Sequence, residues 1–239
     1  RAIGFREALA RGAAAALKPV DVAREDLAFL QYTGGTTGVS KGAMLTHRNV
    51  LANMEQTGAW VSLIFEEGTE IAIAPLPLYH IFCLTATLSF MKWGSLNVLI
   101  TNPRDLPDLV KELGRWPWTI MTGVNTLFNG LLNTPGFERL DFSSLKAVIG
   151  GGAAVQKTVA ERWQQVTGCS ITEGYGLTEA SPVACANPIG TPWNGTIGIP
   201  YPSTELTIRD VVFAELPPWT GEGDIEKFTG EICVRGPQV

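Results

Sequence analysis

A short stretch rich in glycine, hydroxyl and lysine side chains, residues 32–42, is the strongest chemical signal in the sequence. It reads Tyr-Thr-Gly-Gly-Thr-Thr-Gly-Val-Ser-Lys-Gly and lies between two apolar runs. Glycines let the backbone turn sharply and bring N–H groups close to an anion. The hydroxyls donate or accept hydrogen bonds, and Lys41 adds a positive charge on a long side chain. These properties favour a polyphosphate-binding loop over a plain flexible turn between two strands.

The same stretch does not have the spacing of a Walker A loop. That motif needs a second glycine where Ser40 stands, and it needs a serine or threonine after the lysine, where Gly42 stands. Without that hydroxyl the loop lacks the usual magnesium contact. A P-loop nucleotide hydrolase is therefore disfavoured.

Two further glycine-rich stretches follow predicted strands. Residues 150–153 read Gly-Gly-Gly-Ala, and residues 173–179 read Glu-Gly-Tyr-Gly-Leu-Thr-Glu. A tyrosine between glycines can stack on a base, and the carboxylate of Glu179 is a ligand type that Mg²⁺ accepts. Because ligands of open α/β sheets bind at the carboxyl ends of strands, we expect all three stretches to lie at one such edge.

Composition excludes several classes of protein. With 239 residues, 45% of them hydrophobic, the chain can bury a large core, and its net charge of -5 with no basic run disfavours nucleic-acid binding. Four widely spaced cysteines without a Cys-x-x-Cys pair argue against zinc and disulfides and predict a reducing, cytoplasmic location. The longest apolar run, residues 81–91, is shorter than the roughly 20 residues of a membrane span, so membrane contact would be peripheral, at the inner membrane.

Short strands alternate with longer helices up to about residue 178, which predicts an α/β fold with a mostly parallel, doubly wound sheet and helices on both faces. Predicted strands are 27–30, 43–45, 71–74, 96–100, 119–121, 145–149 and 170–173, and predicted helices are 5–17, 47–61, 77–93, 105–113, 124–132 and 156–166. After that point proline and glycine become frequent and short strand-like segments follow, at 204–209 and 231–235. We therefore predict an α/β subdomain over 1–180 and a smaller β-rich subdomain over 181–239, both partial.

Three stretches, 32–42, 174–179 and 230–236, resemble successive core motifs of the adenylate-forming enzymes, a superfamily of acyl-CoA synthetases, peptide-synthetase adenylation domains and luciferases. Residues 45–49, 77–82 and 122–128 are similar to bacterial long-chain fatty-acid–CoA ligases. The resemblance runs from about residue 21 to the last residue. It implies a truncated N-terminal domain of the adenylate-forming fold, with the mobile C-terminal domain absent.

The resemblance also implies a reaction: ATP-dependent activation of a long-chain fatty acid to acyl-adenylate and then to the acyl-CoA thioester. The implied ligands are ATP, Mg²⁺, coenzyme A and the fatty acid. The implied catalytic residues are Lys41, Thr178 and Glu179, and Thr33 and Glu179 are the implied magnesium pair. The implied ATP-binding positions are Thr33, Gly34, Gly35, Thr36, Thr37, Gly38, Gly152, Glu173, Gly174, Tyr175 and Thr178. The implied acyl-binding positions are His80, Leu84, Val124 and Phe128, with Leu84 where some relatives carry a gating tryptophan.

Alternatives stay open at this point. Another adenylate-forming ligase would act on medium-chain, aryl or aminoacyl substrates, although amino-acid activators usually place an aspartate in the acyl pocket and residues 78–90 contain none. A non-catalytic nucleotide- or acyl-binding module is the other alternative. The first residue is not methionine, so we expect a piece of a longer protein that is inactive alone, and strand edges left unpaired in such a piece invite self-association.

Overall fold

The computed structural model describes residues 3–33 and 41–239. In that part of the chain, seven strands form one large sheet in the order β4-β3-β5-β6-β7-β8-β9. The strands are β1 (Leu27–Thr33), β2 (Lys41–Thr46), β3 (Ile71–Ala74), β4 (Leu96–Leu99), β5 (Ile120–Gly123), β6 (Ala147–Gly150), β7 (Ile171–Gly176), β8 (Val183–Ala186), β9 (Ile199–Pro200), β10 (Glu205–Arg209) and β11 (Glu231–Arg235). The helices are α1 (Phe5–Ala13), α2 (His47–Val61), α3 (Ile81–Lys92), α4 (Leu106–Leu113), α5 (Asn125–Leu132) and α6 (Lys157–Thr167).

Strands β3 to β7 run parallel to one another, and β8 and β9 add to the same sheet antiparallel. Alternate residues of these strands pack on opposite faces because side chains in a strand point to the two sides in turn. Ile73, Met121 and Val148 join the main core with α4, α5 and α6. Their neighbours Ala72, Ile120 and Ala147 join a second cluster with Phe90 of α3. The predicted α/β fold, with a mostly parallel sheet and helices on both faces, is confirmed.

Strands β1 and β2 correct one expectation. They pair with each other, antiparallel, as a ribbon separate from the large sheet, so the 32–42 stretch does not follow a strand of that sheet. The reason is the short connection: residues 34–40 lie between the two strands, whereas a parallel crossover needs a dozen or more residues.

Local capping places the helices that border the ribbon. Thr46 caps α2: its hydroxyl accepts from the Asn49 N–H, and the Asn49 side chain accepts from the Thr46 N–H. The side chain of His80 caps α3 in a similar way. Helix α1 lies outside this packing, because none of its residues is buried and Phe5 and Leu9 remain mostly exposed. It ends at Ala13, earlier than predicted, and its predicted apolar face packs on no core among the described residues.

The C-terminal segment contains the antiparallel ribbon β10–β11, and residues that flank the ribbon bind α2. The Gln56 amide donates to the Pro202 carbonyl at 2.6 Å and to the Gln238 side chain at 3.1 Å, and Gln238 is fully buried. The division near residue 180 remains a prediction, since β8 and β9 continue the large sheet beyond it. Among residues 3–33 and 41–239, no helix has the length and hydrophobicity to cross a membrane.

Candidate functional site

A cavity of about 330 Å³ lies where β6 and β7 end, next to the start of α3 and the β1–β2 ribbon. Its walls come from the three glycine-rich stretches, from the start of α3 and from residues between 182 and 201. The lining residues are Thr33, His80, Ile81, Phe82, Ile149, Gly150, Gly151, Gly152, Gly174, Tyr175, Gly176, Leu177, Thr178, Glu179, Pro182, Val183, Ala186 and Tyr201. Residues far apart in sequence are therefore brought to one space.

The two glycine stretches approach each other closely at this cavity. A Cβ at Gly151 would lie 3.4 Å from the Gly174 carbonyl oxygen and 3.4 Å from the Phe82 ring. Gly152 has a φ of +74°, a conformation that side chains disfavour. The glycines thus leave backbone on the wall and space in front of it, which suits a flat ring such as a base.

The predicted strand ended at residue 173 and implied that Tyr175 lies in a turn after it. In the structure, Tyr175 lies inside β7. Antiparallel β8 pairs with this part of the chain, Tyr175 opposite Cys185, and the register shifts between Tyr175 and Gly176. That irregularity ends the regular ladder just before the 3-10 turn Thr178–Ala180, which carries Glu179 into the cavity wall.

Thr33 and Glu179 both line the cavity, and each has an oxygen-bearing side chain. Mg²⁺ usually takes one or two protein carboxylates and completes its shell with water and substrate phosphates, so this donor set fits that ion. Among the described residues no cluster of three or more His, Cys, Asp or Glu side chains exists that would hold a metal by protein ligands alone. The arrangement therefore suits a metal that arrives with a phosphate ligand.

Lys41 lies at the edge of this site. It is exposed and stands opposite Thr33 in the β1–β2 ribbon, where the Thr33 hydroxyl donates to the Lys41 carbonyl at 3.4 Å. Lys41 does not itself line the cavity, but its partner in the ribbon does. The predicted phosphate-binding positions Gly34, Gly35, Thr36, Thr37 and Gly38 lie outside the described residues.

Glu173 is used differently from what the resemblance implies. Its carboxylate accepts a hydrogen bond from the Val155 N–H at 3.2 Å, and its carbonyl accepts one from the Asn187 N–H at 2.9 Å. The residue is half-buried and does not line the cavity. Burial raises the pKa of this carboxyl, and the Val155 hydrogen bond only partly opposes the shift.

This shift predicts a pH-dependent stability difference. A carboxyl whose pKa is raised by folding stabilises the protein when protonated and costs stability as it ionises above its ordinary value of about 4.5. We expect Glu173→Gln to raise stability at pH 7 by less than about 1 kcal/mol, because glutamine is neutral and still accepts from Val155. The gain should vanish as the pH falls through 4.5, as measured by thermal unfolding. Glu222→Gln, at an exposed site, is the control, and a gain that stays constant with pH would contradict the explanation.

His80 fixes the start of α3 at the cavity wall. Its Nδ1 accepts from the Phe82 N–H at 3.2 Å, so in the neutral ring Nε2 carries the hydrogen. Val124 stands next to the glycine loop without lining the cavity: its Cγ1 is 3.8 Å from where a Cβ of Gly152 would lie. His80 is thus placed to donate to a ligand, and Val124 to support the loop.

Two predicted acyl-binding residues, Phe128 and Leu84, do not line the cavity. Phe128 is fully buried in the main core, with its ring 5.0 Å from that of Trp163. Leu84 packs beside Leu45 and Ile81 and faces a surface groove that it shares with Tyr79. Ordinary core packing accounts for Phe128, and Leu84 borders the surface groove rather than the cavity.

A second, inner chamber of about 40 Å³ lies behind the cavity. The two spaces share Phe82, Ile149, Pro182, Val183 and Tyr201 as walls. Along α3 the chamber is lined by one helical face: Phe82, Thr85, Ala86, Ser89 and Phe90. An apolar acyl path is predictable from Phe82 and Phe90 of this face, but not from Thr85 and Ser89, whose hydroxyls interrupt an otherwise apolar helix. The spacing of three and four residues is the signal that joins all five.

Comparison with known proteins places the chain in a family. A family model described as AMP-binding enzyme matches residues 4–239. The chain belongs to the AMP-binding enzyme family. A long-chain-fatty-acid–CoA ligase from Salmonella typhimurium is 54% identical over 240 residues, which cover 100% of this chain and 41% of that protein. The chain thus spans about two fifths of the length of the curated relatives that it matches.

Solved structures of similar proteins have the same fold. ATP-bound MatB from Rhodopseudomonas palustris matches with a TM-score of 0.77 and 30% identity over 97% of this chain and 44% of that chain. A long-chain-fatty-acid–CoA ligase, FadD1, from Archaeoglobus fulgidus matches with a TM-score of 0.74 and 25% identity over 92% of this chain and 44% of that chain. The α/β sheet and its helices therefore form the adenylate-forming fold of the AMP-binding enzymes.

Proposed function

We propose that the full-length parent, meaning the natural protein that contains this sequence, activates long-chain fatty acids with ATP and transfers them to coenzyme A. One observation carries the proposal: a single cavity joins Thr33, the glycines after β6 and the segment Tyr175–Glu179. Tyr175 and the glycines suit a base, whereas Thr33 and Glu179 suit a phosphate and its metal ion. The long acyl chain is inferred from relatives named long-chain-fatty-acid–CoA ligases.

The proposed reaction has two steps. A carboxylate oxygen of the fatty acid attacks the α-phosphorus of ATP, the bond to the pyrophosphate oxygen breaks, and acyl-adenylate forms. The sulfur of coenzyme A then attacks the acyl carbon, AMP leaves with the bonding electrons, and the thiol proton is released. A carboxylate is already ionised near neutral pH, so the first step needs charge neutralisation and alignment rather than a general base.

Each site residue has a role in this scheme. Tyr175 and the backbone at Gly151, Gly152 and Gly174 seat the adenine. The Thr178 hydroxyl donates to the α-phosphate, and Lys41 neutralises charge on the departing pyrophosphate. Thr33 and Glu179 would hold Mg²⁺, which when bound supplies positive charge at the phosphates.

The inner chamber is the proposed entrance for the acyl chain. It begins behind Phe82, next to His80, and continues along α3 to Ser89 and Phe90, about two helical turns further. Most of its wall is apolar, and each buried methylene contributes about 0.8 kcal/mol, so such a slot can select long chains. The chamber is small, so Phe82 or Phe90 must turn aside to admit a chain.

Filling this chamber should change chain-length preference. We expect Ser89→Leu to lower kcat/KM for long-chain acids about tenfold, because added methyl groups occupy the acyl path, and to spare short acids. The measurement is adenylate formation by the parent across a chain-length series. Thr87→Leu puts the same new side chain at a buried position of the same helix outside the chamber lining and is the matched control. Equal losses for short and long acids would contradict an acyl role for the chamber.

The proposed function is tested by pyrophosphate exchange in the parent over fatty, aryl and amino acids. Exchange that depends on long-chain acids, followed by acyl-CoA formation with coenzyme A, is the expected result. Exchange only with aryl or amino acids would replace the substrate class. ATP and fatty-acid binding without exchange would support a non-catalytic binding module instead.

Location and further partners are also proposals. The four cysteines, all among the described residues, are free thiols, which supports a reducing, cytoplasmic location. Peripheral membrane contact and self-association through exposed strand edges remain predictions. We propose no nucleic-acid partner, in keeping with the acidic composition.

A further inference from the structure

The loop between β6 and α6, residues 151–156, forms one wall of the cavity through Gly151 and Gly152. Its far end is held by side chains from three other elements. The Val155 N–H donates to the Glu173 carboxylate at 3.2 Å, and the Val155 carbonyl accepts from the Trp193 indole N–H at 2.9 Å. The Gln156 N–H donates to the Asn125 side-chain oxygen at 2.9 Å. Both backbone polar groups of Val155, its N–H and its carbonyl, are therefore bound by side chains.

Trp193 is itself firmly placed. Its ring packs against the main core, and a Cβ at Gly195 would lie 3.2 Å from that ring, so the chain folds closely around it. The loop that carries it is tied by the Asn187 amide, which donates to the Thr196 carbonyl at 2.8 Å, and by the Asn194 amide, which donates to the Asn187 side chain at 2.9 Å. The Trp193 side chain is therefore already ordered, so its hydrogen bond to the Val155 carbonyl costs little conformational entropy.

Asn187 connects the two groups that hold Val155. Its side chain ties the Trp193 loop, while its N–H donates to the Glu173 carbonyl at 2.9 Å. Trp60 of α2 fixes Asn187 in turn, by donating to its carbonyl at 3.0 Å. Glu173 and Trp193 therefore belong to one hydrogen-bonded unit that spans β7, the 187–198 loop and α2.

We propose that Glu173 and Trp193 are positioning residues for the nucleotide, acting through Val155 and touching no nucleotide themselves. They fix the end of the glycine loop and so set the position of the Gly151–Gly152 backbone in the cavity wall, against which the base would lie. This inference rests on the proposed function. It gives Glu173 a different task from the direct contact with ATP that the resemblance implies.

The glycines explain why such a grip is needed. Three consecutive glycines, residues 150–152, have more accessible backbone conformations than any other residue type, and ordering them costs entropy. If Val155 loses its hydrogen bonds, the glycine loop is less ordered in the free protein. ATP must then order this loop when it binds, and the entropy cost weakens the binding. The expected defect is weaker ATP binding with the acyl site unchanged.

The test is Trp193→Phe in the full-length parent, which keeps an aromatic ring and removes the N–H donor. Loss of one hydrogen bond predicts that the Kd and KM for ATP rise about three- to tenfold. KM for the fatty acid and kcat should stay within about twofold of wild type, by the same argument. ATP binding is measured at equilibrium and turnover by adenylate formation.

A pair of substitutions at Glu173 separates positioning from general damage. Glu173→Gln keeps an acceptor for the Val155 N–H and should leave ATP binding near wild type. Glu173→Leu removes that acceptor and should weaken ATP binding as much as Trp193→Phe or more. Rescue by the conservative variant is the signature of positioning.

Trp116→Phe is the matched control, because the Trp116 indole also donates a hydrogen bond, at 3.0 Å to Glu112, but away from the cavity.

Unchanged ATP binding in Trp193→Phe overturns the proposal. A rise in the KM for ATP and in the KM for the fatty acid by the same factor, together with a loss of thermal stability, also overturns it. Weak ATP binding by Glu173→Gln at full stability would return Glu173 to a direct contact with the base. If the parent binds ATP but activates no fatty acid, the proposed function is contradicted. Its ATP affinity still tests whether Glu173 and Trp193 position the glycine loop. A parent that binds no ATP overturns both.

Discussion

Gly176→Ala is expected to destabilise the protein by an amount of the order of 3 kcal/mol, since a Cβ at this position has no room. It would lie 2.1 Å from the carbonyl oxygen of Pro182, 2.8 Å from its carbonyl carbon and 3.1 Å from the Cα of Val183. All three are backbone atoms, which cannot turn aside as a side chain would. For a chain of this length the loss corresponds to a fall of Tm by about 6–12 °C.

The damage should reach the nucleotide site as well. Gly176 is the last residue of β7, and the same Pro182 carbonyl accepts from the Leu177 N–H at 2.9 Å. Pushing the two segments apart would break that bond and move Tyr175 and Glu179, which line the cavity on either side of it. We therefore expect Gly176→Ala to lose ATP binding together with stability.

Gly174→Ala is the matched control on the same strand. A Cβ there would meet the Ala186 Cβ and the Cys185 carbonyl at 3.6 Å, which is ordinary van der Waals contact. Its Tm should stay close to that of wild type. If Gly176→Ala unfolds within about 2 °C of wild type, the close approach of β7 to Pro182 is not a constraint on this fold.

Local signals explain which elements could be predicted. Helix α2 has the predicted bounds because Thr46 is a strong N-cap and an apolar pattern follows it. Strand β3 also has its predicted bounds, since four apolar residues end at Pro75. Both signals lie within a few residues of the boundary that they set, so tertiary structure had little to change.

Elements that depend on distant partners could not be predicted in the same way. Strand β8 is a four-residue segment of ordinary composition that becomes a strand because β7 pairs with it. The extension of β7 to Gly176 has the same cause. The separate β1–β2 ribbon, by contrast, has a signal in the sequence. The connection of residues 34–40 is too short for a parallel crossover, although the alternation of strands and helices around it favours a parallel sheet.

The residues of the candidate site also differ in whether local sequence signals identify them. Residue types and spacing identified Gly152, Tyr175 and Glu179, which the fold does bring to one cavity. Sequence could not distinguish Phe128, a core residue, from a residue of an acyl path, because both need an apolar side chain on a helix. Nor could it reveal that Trp193 reaches Val155, 38 residues away, since nothing local to either residue signals the contact.

Glu179→Ala in the full-length parent is expected to lower adenylate formation by about 10³-fold, the largest loss that we predict for one side chain. Glu179 is exposed on a 3-10 turn and lines the same cavity as the ribbon residue Thr33. Removing an exposed side chain should change stability by less than about 0.5 kcal/mol. Loss of activity without loss of Tm would therefore identify a ligand-binding role and exclude a structural one.

The dependence on Mg²⁺ makes this prediction specific. If the carboxylate helps to hold the ion, Glu179→Gln should need a much higher Mg²⁺ concentration for half-maximal rate, because an amide oxygen is a weaker ligand for a hard cation. Glu179→Asp keeps the charge on a shorter side chain and should lie between glutamine and wild type. Glu161→Ala, which removes an exposed carboxylate on α6 outside the cavity, is the control and should leave both rate and Mg²⁺ dependence unchanged. Pyrophosphate exchange at the wild-type rate in Glu179→Ala would remove Glu179 from the reaction, and with it the shared phosphate and metal site on which the proposed function depends.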